Sequence, residues 1–78
     1  MVKAYVLVEI EGVDANKVAR DITEIDEVEN VHLIYGEYDL IVEVKAKNLV
    51  SLKDIALEKL GKVKGVIKTS TLIVADSD

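Results

Sequence analysis

The 78-residue chain contains no cysteine, proline, glutamine, phenylalanine or tryptophan, one methionine and one histidine. Without cysteine there is no disulfide framework, thiolate nucleophile or zinc knuckle, and His32 alone builds no multi-histidine metal site. Ten basic residues against fifteen acidic ones give a net charge of −5 and leave no basic surface to track phosphates, which argues against direct nucleic-acid binding. No apolar run approaches the roughly 20 residues that span a bilayer, and Met1-Val2-Lys3 leads straight into a strand-like alternation. These features predict a soluble cytoplasmic protein. Abundant Lys and Glu, with no Gln and only three Asn, lean toward a heat-adapted source. At this length a second hydrophobic core is not expected, so residues 1–78 read as one domain.

Half of the residues are apolar, and their spacing sets the elements. Val2, Ala4, Val6, Val8 and Ile10 alternate with Lys3, Tyr5, Leu7, Glu9 and Glu11, the period of a strand with one apolar face. Asp14 is placed to cap a helix running to about Asp26, its stripe Ala15, Val18, Ala19, Ile22 and Ile25, with Val13 as staple to Val18. Strand character returns from Val28 to Tyr35. The turn Gly36-Glu37-Tyr38-Asp39 leads to a third strand with Leu40, Val42 and Val44 on one side. Asn48 is placed to cap a second helix carrying Leu49, Leu52, Ile55, Ala56 and Leu60, with Gly61 at a left-handed C-cap. Val66 to Ala75 reads as the last strand, and residues 76–78 as a disordered polar tail.

The order β-α-β-β-α-β, with Leu7-Val8-Glu9-Ile10 echoed by Ile41-Val42-Glu43-Val44, predicts an α+β, ferredoxin-like βαββαβ fold: a four-stranded antiparallel sheet with two helices on one face. The opposite face would carry Tyr5, Leu7, Ile34, Ile41, Ile67 and Ile73, an apolar patch that a second copy covers by sheet-on-sheet dimerisation. Val50 and Leu57, off the core stripe of the second helix, suggest a smaller second contact surface.

Candidate chemistry is sparse. Glu9 and Glu43 would form a like-charge pair if their strands are neighbours, or else two rim charges balanced by Lys3 and Lys45. His32 lies on an edge strand with no nucleophile placed beside it, and Arg20 reads as solvated surface. The turn and the run Thr69-Ser70-Thr71 make a stronger constellation. Backbone N–H groups of Gly36 and Glu37 and the hydroxyls of Thr69 and Thr71 suit a carboxylate, and Asp39 suits an ammonium, together an amino-acid zwitterion. Alternatively, Asp39 only ties down its own turn, and the threonines are ordinary strand residues.

Three stretches, Ala4-Tyr5-Val6-Leu7-Val8, Tyr35-Gly36-Glu37-Tyr38-Asp39-Leu40 with Ile41-Val42-Glu43-Val44, and Val63-Lys64-Gly65-Val66-Ile67-Lys68-Thr69-Ser70-Thr71, resemble the effector-binding (regulation of amino acid metabolism, RAM) domain of the Lrp/AsnC transcription regulators. The resemblance covers Lys3 to Val74. It implies a dimeric α/β-barrel type assembly, commonly rings of four dimers, with a small-molecule site between dimers at Gly36, Tyr38, Asp39, Thr69 and Thr71. Full-length members add an N-terminal helix-turn-helix. Because the first strand begins by residue 3, this sequence resembles the stand-alone domain. The expectation is a non-enzymatic amino-acid sensor with no cofactor or metal, forming homodimers or an octamer and acting on transcription through a co-assembling DNA-binding relative. A small dimeric α/β-barrel enzyme, built around His32 or Tyr5, and an ACT-like amino-acid-binding module share the element order, though the ACT module's Gly-rich first loop is not evident at Glu11-Gly12-Val13-Asp14. An RNA-recognition domain needs sheet aromatics and a basic surface that this chain lacks.

Overall fold

Four strands hydrogen-bond in the order β2-β3-β1-β4, every neighbouring pair antiparallel. In the computed structural model, which describes residues 1–75, the strands are β1 (Val2–Ile10), β2 (Val28–Leu33), β3 (Leu40–Ala46) and β4 (Val66–Ile73). The helices are α1 (Ala15–Thr23) and α2 (Leu49–Asp54). This is the ferredoxin-like architecture that the periodicity predicts. The expected tail at 76–78 lies outside the described residues.

The core forms where the two central strands meet the helices. Ala4, Val6 and Val8 of β1 and Leu40, Val42 and Val44 of β3 are fully buried against Val18 and Ile22 of α1 and Leu60. Leu52 and Ile55 complete the layer. The registers Val6↔Val42 and Val8↔Leu40 put these residues on one face, as a period of two requires.

Both predicted N-caps form. Asp14 accepts from Asn16 N–H at 3.3 Å and Asn48 from Ser51 N–H at 2.8 Å. Helix α1 ends three residues before the expected Asp26. The Thr23 hydroxyl donates back to Arg20 O at 2.7 Å and Ala19 O at 3.0 Å, drawing the last carbonyls out of the helical ladder.

The second helix differs more. After Asp54 the backbone widens into a π-helical turn over Ile55–Lys59, with Leu60 N–H reaching Ile55 O, and then tightens into a 3-10 turn over Leu60–Lys62. Gly61 is therefore no left-handed cap. The left-handed glycine is Gly65, at φ +98°, one residue before β4. A Cβ on Gly65 would stand 2.8 Å from Val13 Cβ and 3.2 Å from Val18 Cγ2, so only glycine lets the start of β4 close onto the start of α1.

The β4 register also departs from simple alternation. Glu9 pairs with Lys68 and Ile10 with Val66, leaving Ile67 as the extra residue of a bulge. Beyond it the two sides of the strand exchange. Thr69, Thr71 and Ile73 pair with Val8, Val6 and Ala4 and lie on the helix side, whereas Ser70 and Leu72 join the open face. Ile73, expected on the open face, is thus on the other side of the sheet. Leu72, half exposed, takes its place there.

Candidate functional site

The open face has an apolar middle and polar ends. Tyr5, Leu7 and Ile41, each partly buried, occupy the central strands, and Leu72 pairs with Tyr5 from β4. His32 of β2 pairs with Ile41 and is exposed, with no nucleophile beside it in the sheet. Ile34, just past β2, holds the turn by donating its N–H to Asp39 O at 3.0 Å. At one end of the face, the Lys3 ammonium pairs with Glu43 at 2.9 Å, and Asn30 Nδ2 donates to the same carboxylate at 3.3 Å. At the other end, Lys68 sits 5.8 Å from the centre of the Tyr38 ring, with Glu9 opposite Lys68 in the sheet. Glu9 and Glu43 are not partners. Glu43 pairs with Tyr5 four residues along β1, so the two carboxylates occupy opposite ends and form no like-charge pair.

Two ion pairs shift their groups. The Lys3 hydrogen bond, then that of Asn30, lowers the Glu43 carboxyl below its ordinary 4.5, and Lys3 is raised above 10.5 by the same contact. At the surface, Lys59 of the π turn donates to both Glu27 oxygens at 3.0 Å, lowering Glu27 and raising Lys59. Both carboxylates stabilise the fold above their unfolded pKa, and that contribution is lost as pH falls through their lower folded values. The lysine contributions hold below 10.5 and fade as pH rises past the raised values. The melting temperature should fall as pH drops from 5 to 3, and a Glu27→Gln/Glu43→Gln variant should show a shallower fall in a calorimetric pH series. Exposure keeps both contributions small.

The five candidate ligand residues fall into two groups. Gly36, Tyr38 and Asp39 form the β2–β3 turn, where Gly36 is at φ +135° and Asp39 is anchored. The Asp39 carboxylate Oδ2 accepts from Ile10 N–H at 2.8 Å, and Asp39 N–H donates to Val8 O at 2.9 Å. These bonds fasten the turn to the end of β1, and the Tyr38 ring reaches Lys68 on the open side. Replacing Asp39 with Ala strands the Ile10 N–H and should cost about 1–3 kcal/mol in urea unfolding, with Asp39→Asn losing less because it keeps an acceptor.

Thr69 and Thr71 lie on the opposite side of the sheet. They line an open groove of about 410 Å³ between β4 and α2, together with Leu49, Leu52, Lys53, Ala56, Leu57 and Ile73. No turn residue lines it. One copy of the chain therefore does not bring all five residues together. A larger cavity of about 730 Å³ lies on the other flank of α2, lined by charged side chains including Asp26, Glu27, Lys45 and Asp54, and by Val50. Val50 and Leu57 thus face different cavities. Leu49, expected in the core, is half exposed at the groove. That Lys53 shares a groove with Thr69 and Thr71 had no signal in the sequence, since the β4 bulge decides which side of the sheet the threonines take.

Among the described residues, no helix is long and apolar enough to cross a membrane, and no cluster of His, Asp or Glu is suited to hold a metal ion.

Residues 3–77 match the family model described as the Lrp/AsnC ligand binding domain. The chain belongs to the Lrp/AsnC family. An uncharacterized HTH-type transcriptional regulator of Pyrococcus furiosus is 36% identical over 73 residues, covering 90% of this chain but 49% of the relative. The chain spans about half the length of the curated relatives it matches. The crystal structure of the hypothetical protein PHS023 from Pyrococcus horikoshii is 32% identical, with a TM-score of 0.87 over 99% of this chain and 93% of that one. The NMB0573/L-Met complex of Neisseria meningitidis, 19% identical, has the same fold, with a TM-score of 0.87 over 97% of this chain and 51% of that one. The Lrp/AsnC family is one of non-enzymatic transcriptional regulators, which sets aside the small barrel enzyme as a reading, and the Pyrococcus relatives agree with the heat-adapted composition.

Proposed function

We propose that the chain is a non-enzymatic oligomeric sensor that binds an amino acid or related metabolite between dimers and modulates transcription indirectly, by assembling with a DNA-binding member of its family. The observation that carries this reading is the separation of the candidate ligand residues. Gly36, Tyr38 and Asp39 sit at the turn and Thr69 and Thr71 in the groove behind the sheet, so a site using both needs two copies. The open face supports the first contact: Tyr5, Leu7 and Ile41, with Leu72 in place of Ile73, form an apolar centre between polar ends, the anatomy of a protein interface. Pairing two sheets gives the dimer, and contacts between turn and groove lead from dimers toward an octamer. A ligand at that second contact favours the assembled state through its differential affinity.

The methionine bound by the Neisseria relative supports the ligand class. The acidic charge of the chain supports an indirect role, since transcription is then reached only through a partner. The same reading puts the chain in the cytoplasm, with amino-acid pools and DNA-binding partners at hand. A thermal-shift screen of the purified chain against the twenty amino acids at millimolar concentration tests the sensor. At least one should raise the melting temperature by several degrees, and no response to any would leave an assembly module without an effector.

A further inference from the structure

The flank of α2 turned away from the threonines carries opposite charges at its two ends. Val50, Ser51 and Asp54 of α2, and Lys47 just before the Asn48 cap, all line the cavity of about 730 Å³. Val50 is 78% exposed at the middle of this stretch, with Ser51 half-buried beside it. Lys47 and Asp54 are exposed and make no ion pair among the described residues. Asp54 adds to the negative field around Lys59, but that ammonium is held by both Glu27 oxygens. The flank thus presents an unpaired cation, an uncovered valine beside a small residue, and an unpaired carboxylate, in that order along the chain.

We propose that this flank is an isologous contact between copies, in which two α2 helices pack antiparallel about a two-fold axis between Val50 and Ser51. Such a contact must be self-complementary, each copy accepting what it offers. Antiparallel pairing about that point sets Lys47 of each copy against Asp54 of the other and Val50 against Ser51, giving two ion pairs around an apolar centre. Ser51 is small enough to let the helices reach the roughly 8–10 Å spacing of packed pairs. A parallel pairing would oppose like charges, so the charge order selects the antiparallel one. The contact is separate from the open face and from the groove between α2 and β4. It is small, one short helix from each copy, and therefore weak between single chains. Dimers joined through the open face, on the reading above, present two such flanks each and link through them. Two different two-fold contacts on one chain then carry assembly past the dimer.

The test is sedimentation velocity of the ligand-free chain in a series from about 10 µM to about 1 mM, the range in which weak contacts form. The native chain should grow past the dimer as concentration rises, and less so in about 0.5 M salt, which screens the ion pairs. Lys47→Glu and Asp54→Lys should each raise the concentration needed by at least about tenfold, because each turns two attractions into two repulsions. The two substitutions move the net charge in opposite directions, so a general charge effect would not weaken both. An equimolar mixture of the two variants brings the introduced charges against opposite ones and should recover most of the association, as should the charge-swapped Lys47→Glu/Asp54→Lys chain. No growth past the dimer, a loss in only one variant, or no recovery in the mixture would overturn this contact. The thermal response to amino acids should persist in both variants, so a silent screen would strike the sensor reading and leave the contact standing.

Discussion

Replacing Leu7 with lysine should reduce the chain to an 8.6 kDa monomer at concentrations where, on the proposed assembly, the native sequence should sediment as a dimer or larger. Leu7 lies mid-way along β1 on the open face, between Ile41 on β3 and Ser70 on β4. Within one copy its side chain is only partly buried, so lysine is accommodated with its ammonium in water and the fold persists. In a sheet-on-sheet dimer the same ammonium is held between two apolar surfaces without a partner, and a second one joins it from the other copy. The loss is several kcal/mol per dimer on the order expected for unpaired buried charges, enough to abolish association at micromolar concentration. Circular dichroism should remain native. Leu72→Lys should act in the same direction, while Glu9→Lys, at the polar rim opposite Lys68, should leave association largely unchanged. An unchanged mass for Leu7→Lys would mean that this face is not where copies meet.

A second large effect is expected at Gly65, on stability rather than assembly. Valine there must adopt a φ near +98° and place its Cβ 2.8 Å from that of Val13. Backbone strain contributes about 1–3 kcal/mol and overpacking about as much again, a total of roughly 2–6 kcal/mol against the roughly 5–15 kcal/mol that holds a domain together. For a domain of this size that lowers the melting temperature by roughly 10 °C or more. Val13→Ala in the same chain removes the Cγ2 contact at 3.0 Å but keeps the Cβ at 2.8 Å, so it should return only part of the overpacking loss. Gly12, at φ +80° with open space around it, is the control. Gly12→Ala should cost about 1 kcal/mol, because strain acts there without a clash. Equal losses at the two glycines would show that the close approach of β4 to α1 does not hold in solution.

These cases also mark where the amino-acid sequence was legible. Alternation in β1 and β3 and the caps Asp14 and Asn48 led directly to the observed elements, because each depends on neighbours within a few residues. The fate of β4 depends on a long-range event. One extra residue at Ile67 reverses the strand beyond it, sending Thr69, Thr71 and Ile73 to the helix side and Leu72 to the open face, and a single-strand period carries no trace of that slip. The second helix failed for a related reason. Gly61 looks like a C-cap locally, but packing of Leu60 into the core draws the chain through a π turn, and the left-handed residue comes four positions later at Gly65. In the sequence Asp39 reads as either a ligand group or the anchor of its own turn. Its bond to Ile10 N–H is a contact across 29 residues that fixes the turn. The constellation of turn and threonines was thus readable as a set of residues, whereas its division between two sides of the sheet was not.

The measurement closest to the central claim is sedimentation velocity of the native chain at micromolar concentration, alone and with the amino acid that stabilises it most in the thermal screen. The account predicts a dimer or larger without ligand, and a ligand-dependent shift toward a higher assembly as the turn of one copy meets the groove of another. A species of 8.6 kDa that is unmoved by ligand would contradict it.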